Sequence, residues 1–548
     1  MNRKMRKALS LLLAIIMVMS LVACGGKNNT ANSGNDKTDT SNTQKDTSTE
    51  GKTSQGTKVE ATESADAEYA SEITIELTVG SLDPTDGWSA TREGYQRLVF
   101  DNLIYIDDIT GEETLMLAES VEWTDDTYTC LHIILKDYAT FSNGDPVTTA
   151  DVEYSFGRTT YGSFKKMYDR CEIISDTEMK VYLKQACAPF YNILSRVFTG
   201  IVCKAEAEKN PDGLALIGSG PFVYDMESYV AANSVTLVRN ENYWNKDFES
   251  PTEKIHIVKI KDPSAAAIAL QNGEINFGVN FNANELPQME KDENLVVTTY
   301  NSLNFIYMCF NDHGDSTAVT EEEKNFRRAV ACAVNKEDII AGVDGGMVMT
   351  SMWPYDHAAY IANESDYEHD LSYSPEMANE YLAKAGGKTE FKVLVDTSRA
   401  WCKLAAMVMQ EQCRAVGITM NIEETDSTGF TAASKWEPLM NSDYDANLWS
   451  TVFTIEFANW NHYTVGNNVN RALMNDPEIV AALEQVYTAD EAAKSDLYKT
   501  MQTEVHNNVS YLPLIFREMN YAYTKGLENF EMTASPCYVL RNIRLRTN

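Results

Sequence analysis

The sequence predicts an α/β fold for residues 71–548. Three observations carry that reading. Apolar residues alternate with polar ones at Ile73, Ile75, Leu77 and Val79, the period of a half-buried strand. Helix-start signals recur at Thr148-x-x-Asp151, Asp262-Pro263 and Ser374-Pro375. Strand-like and helix-like segments then follow one another along the whole region, the pattern of mixed α/β layers.

Taken in order, the first strand runs into Gly80-Ser81-Leu82-Asp83-Pro84-Thr85-Asp86-Gly87-Trp88, a loop of turn formers. Tyr128 to Leu135 reads as a second strand, and Asn143-Gly144-Asp145-Pro146 as the turn before the Thr148 helix. Asp262 caps a short helix with Pro263 at its first position and Gly273 past its end, and Glu274 to Phe277 is strand-like. Phe326, Val330, Ala333 and Val334 mark an apolar helix face. Met377, Tyr381, Leu382 and Ala385 mark another, stopped by Gly386. Leu404 to Val416 is a third helix, followed by the strand Ile418 to Ile422. No internal repeat is visible.

The N-terminus has a different character. Arg3, Lys4, Arg6 and Lys7 precede an apolar run from Ala8 to Ala23, sixteen residues broken only by Ser10 and Ser20. A spanning helix needs ~20 apolar residues, so residues 1–23 read as a signal peptide. Leu21-Val22-Ala23-Cys24-Gly25 resembles the bacterial lipobox, which implies cleavage before Cys24 and lipidation of that cysteine. One acyl chain is too weak an anchor, and the resemblance implies two or three. Residues 24–70 are expected to form a disordered tether, since Val59 and Tyr69 are the only large apolar residues from Gly25 to Ala70. Such a segment of 46 residues spans roughly 35–40 Å root-mean-square.

The 478 residues from Ser71 to Asn548 suffice for two or three domains. The net charge is −34, and losing the four basic residues of the N-terminal head takes it to −38. With no Lys/Arg-rich stretch left, nucleic acid and anionic lipid are excluded as partners, and the membrane is reached through the lipid anchor alone. Nine cysteines follow Cys24, an odd number without C-x-x-C spacing. Most sit among apolar residues, as Cys309 and Cys332 do, and read as buried free thiols.

Several ordered motifs resemble the extracellular solute-binding proteins of peptide and nickel ABC importers (bacterial solute-binding family 5). The longest runs from Leu117-Ala118-Glu119-Ser120-Val121-Glu122-Trp123 to Phe141-Ser142-Asn143-Gly144-Asp145-Pro146-Val147-Thr148-Thr149-Ala150-Asp151-Val152-Glu153-Tyr154-Ser155-Phe156. Gly218-Ser219-Gly220-Pro221-Phe222, Arg239-Asn240-Glu241-Asn242-Tyr243-Trp244 and Ala269-Leu270-Gln271-Asn272-Gly273-Glu274 follow in family order. Phe326-Arg327-Arg328-Ala329-Val330, Tyr381-Leu382-Ala383-Lys384-Ala385-Gly386 and Tyr444-Asp445-Ala446 complete the set.

The resemblance implies a two-lobed periplasmic-binding-protein-like fold (type II) with an extra subdomain in lobe one. Lobe one would comprise residues 71–303, with an insert at about 111–214, and residues 505–548 on return. Lobe two would be 304–504, with hinges near Tyr300 to Phe305 and near His506. The implied function is capture of a peptide-like solute at the extracellular face of the cell membrane, for delivery to permease and ATPase subunits by a monomeric lipoprotein. In the family, loops bearing Trp88, Trp401, Trp449, Phe453 and Trp460 line the cleft, where aromatic faces suit sugars, aromatic side chains or cations. Val452 occupies the place of the family's amine-binding Asp, so Glu456 is the candidate substitute. Asp396 falls where dipeptide binders carry a carboxylate-binding Arg, with Arg399 three residues on.

Other functions fit less well. H-E-x-x-H, G-x-S-x-G and G-x-x-x-x-G-K-[ST] are all missing from the sequence, so no enzyme signature is present and no cofactor is expected. A metal-chelate binder would need clustered ligands, for which His462 is the isolated candidate, so no metal site is assigned. An oligosaccharide ligand on the same fold, and a sensor without transport, both stay open.

Overall fold

The structure is a computed structural model, and it describes residues 57–60, 67–107, 111–209, 216–246, 248, 250–343, 345–453 and 459–548. Within Thr53–Asn548, which is one compact unit, an 11-stranded mixed sheet is the main frame. Its strand order is Thr419–Thr425, Glu390–Asp396, Ala446–Val452, Leu295–Phe310, Tyr511–Thr524, Phe277–Val279, Glu72–Glu76, Lys254–Val258, Ser234–Arg239 and Phe222–Val230. The short strand Gly346–Val348 pairs separately with Tyr511–Thr524.

Two long antiparallel strands, Leu295–Phe310 and Tyr511–Thr524, belong to both halves of this sheet. Leu295 to Asn301 pair with Thr524 to Glu518, on the side joined to Phe277–Val279. Phe305 to Cys309 pair with Phe516 to Tyr511, on the side joined to Ala446–Val452. Between them the register shifts, from Asn301 to Phe305, and irregular pairing of this kind bends a strand and increases its twist. The passage between the two halves of the sheet falls at about Arg517 on the second of these strands.

The second half shows how strand periodicity sets the layers. Phe305, Tyr307 and Cys309 face the largest apolar core, while Ile306, Met308 and Phe310 face a core under the helices Glu321–Ala333 and Ala400–Ala415. Residues 111–214 supply a separate four-stranded antiparallel sheet, in the order Ala118–Trp123, Cys130–Leu135, Glu178–Leu183 and Tyr168–Ile173.

Local chemistry explains the helix starts. Asp262 accepts hydrogen bonds from the backbone N–H of Ser264 and Ala265, with Pro263 at the first helical position. The Asp151 carboxylate accepts from the backbone N–H of Thr148 at 2.9 Å and from its hydroxyl at 2.6 Å. Ser374 caps the helix Pro375–Leu382 through the Met377 N–H. The helix expected from Leu404 starts earlier, at Ala400, with Arg399 as an N-cap that makes no side-chain cap bond.

Motifs shared with the family prove to be scaffold. A Cβ at Gly218 would lie 2.0 Å from the Val99 carbonyl oxygen, and one at Gly220 would lie 2.5 Å from that of Leu98. Glycine is required there because two backbones touch, with Gly220 N–H donating to Val99 O and Phe222 N–H to Leu98 O. Asn240 donates to Gly220 O, and Trp244 donates through Nε1 to Asp101.

One expectation fails on structure. Residues 24–70 were expected to carry none, yet Thr57–Val59 pairs antiparallel with Phe530–Met532, and Lys58 forms a 3.3 Å ion pair with Glu531. Strand pairing uses backbone groups, so a segment poor in apolar residues can still add to an open edge. Cys130, Cys171, Cys203, Cys309, Cys332, Cys402 and Cys413 are free thiols, and all of them but half-exposed Cys171 are buried, as are Cys187 and Cys537. The expected signal peptide, Cys24 and Glu456 lie outside the described residues.

Candidate functional site

The site grows from the end of the strand Glu390–Asp396. Asp396 is completely buried. It accepts from Ser398 N–H at 3.1 Å, from the Ser398 hydroxyl at 2.6 Å and from the Ser427 hydroxyl at 2.5 Å. Its carboxylate also pairs with Arg399 Nε at 3.3 Å. These bonds engage both oxygens, so Asp396 acts here as the anchor that aims Arg399.

Arg399 reaches across to the neighbouring strand. It donates to Ser450 O at 2.6 Å, and its guanidinium lies 4.0 Å from the Trp449 ring centroid. Trp449 sits on the strand Ala446–Val452, not in a loop, and stacks on Phe430 with centroids 4.5 Å apart and planes 9° from parallel. Arg471 completes the group, 4.7 Å from the Trp449 centroid and 5.2 Å from that of Phe430, with a hydrogen bond to the Ser434 hydroxyl. The result is a wall of two stacked rings, buried in the largest core at 0% (Phe430) and 9% (Trp449) exposure, and lined by two half-buried guanidiniums. It suits a flat, polarisable or electron-rich ligand group.

Trp401 lies in the first turn of the helix Ala400–Ala415, also outside a loop, with the Arg517 guanidinium 3.9 Å from its centroid. Asp396, Arg399, Trp401 and Trp449 are thus brought into one neighbourhood. Phe430, Arg471 and Arg517 join them without having been singled out from sequence. Arg517 carries only a faint sequence signal, as the charge that directly follows the apolar run Tyr511-Leu512-Pro513-Leu514-Ile515-Phe516 and precedes Glu518.

The remaining candidates are placed differently. Phe453 is 1% exposed and stacks on Phe305 at 4.1 Å. Trp460 is 2% exposed, donates to the Tyr498 hydroxyl at 3.0 Å and meets Tyr487 edge-on. Both rings pack in the same core as Phe430 and Trp449, the pair that carries the guanidiniums. Half-buried Trp88 is held far along the chain from that wall, donating its indole N–H to buried Glu93, which also pairs with Arg97 at 2.6 Å. Val452, at the expected Asp position, pairs with Asn304 across the sheet.

His462 is buried among Phe305, Tyr307, Phe453 and Tyr511. Burial, with Arg471 adding to it, pushes its imidazole down to about 3, so it is neutral at physiological pH. Among the described residues no group of three or more His, Cys, Asp or Glu is placed to hold a metal ion. No described helix is long and apolar enough to cross a membrane.

With the geometry in place, comparison with known proteins is decisive. The family "Bacterial extracellular solute-binding proteins, family 5 Middle" matches residues 113–495. The chain belongs to this family. The glutathione-binding protein GsiB of Escherichia coli O6:K15:H31 is 24% identical over 486 residues, covering 83% of this chain and 91% of GsiB. The probable D,D-dipeptide-binding periplasmic protein DdpA of Escherichia coli K12 is 24% identical over 491 residues, 82% of this chain and 89% of its own. The oligopeptide-binding protein AppA of Bacillus subtilis, solved with a nonapeptide, superposes with a TM-score of 0.70 at 18% identity. That match covers 88% of this chain and all of AppA. The fold is thus the two-lobed α/β fold of the family 5 binding proteins.

Proposed function

We propose that this protein captures a peptide-like solute between its lobes and delivers it to the permease and ATPase subunits of an ABC importer. The observation that carries the reading is the wall of Phe430, Trp449, Arg399 and Arg471, in a chain whose family captures extracellular solutes. Trp449 and Phe430 back the Arg399 and Arg471 guanidiniums, and the carbonyl oxygens of a peptide are acceptors for guanidinium donors. Closure would bend the two long strands at their register shift, near Asn301 and Arg517. The reading is of a binding protein without catalytic activity, working as a monomer.

The test is calorimetric titration with glutathione, D-alanyl-D-alanine and a panel of tri- to pentapeptides. At least one should bind, and Trp449→Ala should weaken it by roughly 30-fold or more, the scale of an aromatic hot spot. Tight binding of an oligosaccharide or a nickel–histidine chelate, with every peptide inert, would replace this reading with the corresponding alternative.

Anchoring is proposed through a lipid on Cys24, motivated by Leu21-Val22-Ala23-Cys24. Cells labelled with a palmitate analogue should mark the wild type but not Cys24→Ala. Equal labelling of both would sink the assignment.

A further inference from the structure

Among the described residues, most guanidiniums away from open solvent have a carboxylate partner; half-buried Arg471 has none but donates to the Ser434 hydroxyl, and Arg517 lacks even that. Arg97, Arg158, Arg327, Arg328 and Arg399 each have a carboxylate oxygen within 3.3 Å. Half-buried Arg517 has no carboxylate or other protein acceptor for its side chain among the described residues, and its Nε is shut off from solvent without a hydrogen bond. Its one defined side-chain contact is the Trp401 ring. The indole Nε1 of Trp401 is also buried without an acceptor among the described residues. Among the described residues two donors in contact thus lack a protein acceptor, in a chain with 80 acidic residues against 46 basic ones. Shortage of carboxylates is not the cause.

The place matters as much as the shortfall. Arg517 lies where Tyr511–Thr524 passes from one half-sheet to the other, opposite the break in pairing between Asn301 and Phe305. Its backbone is clamped there, with its carbonyl accepting from the Ser302 hydroxyl at 2.9 Å. On its other side it pairs with Gly346, where a Cβ would lie 2.2 Å from Phe516 O. The side chain is therefore presented from a fixed point. Burial, helped by neighbouring Arg399, pushes its guanidinium down to about 10. It still carries full charge at physiological pH, and an uncompensated charge of this kind is costly in a folded protein unless a ligand supplies the counter-charge.

We propose that Arg517 and the Trp401 indole N–H, beside Arg399, form an anion subsite that takes a carboxylate of the captured solute. The protein would then select acidic solutes. This rests on the reading that the chain captures a solute between its lobes. A carboxylate offers only acceptors, which complements a site with only donors.

Glutarate and its diamide, glutaramide, are the probes, titrated calorimetrically at constant ionic strength into wild type, Arg517→Met and Arg517→Lys. Wild type should bind glutarate and not glutaramide. Arg517→Met should lose glutarate about tenfold or more, with Arg517→Lys in between. Without ligand, Arg517→Met should melt at or above the wild-type temperature, because it removes an unpaired charge while keeping a side chain of similar length. A clear drop in that melting temperature would show Arg517 to be a structural residue and overturn the proposal. So would equal glutarate affinity in wild type and Arg517→Met, or none in wild type. Glutarate has neither amine nor peptide bond, so its failure while peptides bind sinks the subsite alone. Loss of glutarate binding in Arg517→Met, with every peptide inert, would sink the peptide reading alone.

Discussion

Arg327 and Arg517 are both arginines set among apolar residues, and the protein treats them in opposite ways. Arg327, on the helix Glu321–Ala333, is 2% exposed and held by Asp312 at 2.6 Å. It also donates to Asn311 O at 3.2 Å and Asn508 O at 3.3 Å, and Glu323 lies 3.4 Å away. It ties that helix to the end of the helix Glu491–Asn508. Its neighbour Arg328 repeats the clasp through Glu321 and Asn507 O. Arg517 has none of this. Arg327 and Arg328 lie in a family-marking motif, and Arg517 lies in none. The residues that identify the family hold the scaffold together, whereas a residue free of scaffold duties is available for the solute.

The strongest way to break this comparison is to truncate both arginines alike. Arg327→Met leaves Asp312 buried without its cation and should lower unfolding free energy by about 3–5 kcal/mol, measured by urea denaturation. Arg517→Met should cost nothing by the same measurement. Equal losses would erase the distinction.

A second buried cation sharpens it through pH. Lys336 is 8% exposed and pairs with Glu364 at 2.6 Å, and Glu364 also accepts from His506 at 3.0 Å. Burial opposes the charged form of Glu364, but Lys336 and His506 outweigh it and hold its carboxyl down at about 2. A carboxyl whose folded value lies below its unfolded one stabilises at pH above the unfolded value. That contribution is lost as pH falls from about 4.5 through about 2. On this basis wild type should lose about 2–3 kcal/mol more than Glu364→Gln across that window. Parallel stability profiles for the two proteins would show that the pairing contributes nothing.

The smallest effect concerns Asp396. Ser427→Ala removes one of its hydroxyl donors and should reduce stability by about 1.5 kcal/mol, the worth of a hydrogen bond to a charged acceptor, with solute affinity unchanged. An affinity loss without a stability loss would mean that Asp396 faces the solute's amine instead.

Much of this molecule was legible in its residues, for reasons that differ from element to element. Asp262-Pro263 and Ser374-Pro375 announced helix starts because cap geometry is local, set by a side chain and the next three residues. The start at Ala400 was missed because Arg399 supplies no cap bond. Trp401 lies in that unmarked first turn, where the family resemblance implies a loop. Family motifs such as Gly218-Ser219-Gly220 were legible as sequence, but their purpose, contact with the backbone of Leu98 and Val99, was not. The pairing of Thr57–Val59 was hidden by its polar composition, since backbone hydrogen bonds leave little trace in side chains.

By itself the sequence determined the α/β class, the family and the helix starts, all of which depend on order and spacing along the chain. It also determined the candidates Asp396, Arg399, Trp401 and Trp449, as types of residue at certain places. Only tertiary structure decided that Asp396 is spent on Ser398, Ser427 and Arg399, that Phe453 and Trp460 are interior packing, and that Arg517 stands on Trp401 without a counter-ion among the described residues. The physical reason is that satisfaction of a polar group depends on which distant segments meet it. Arg399 and Ser450 are 51 residues apart, and no local pattern records such a meeting.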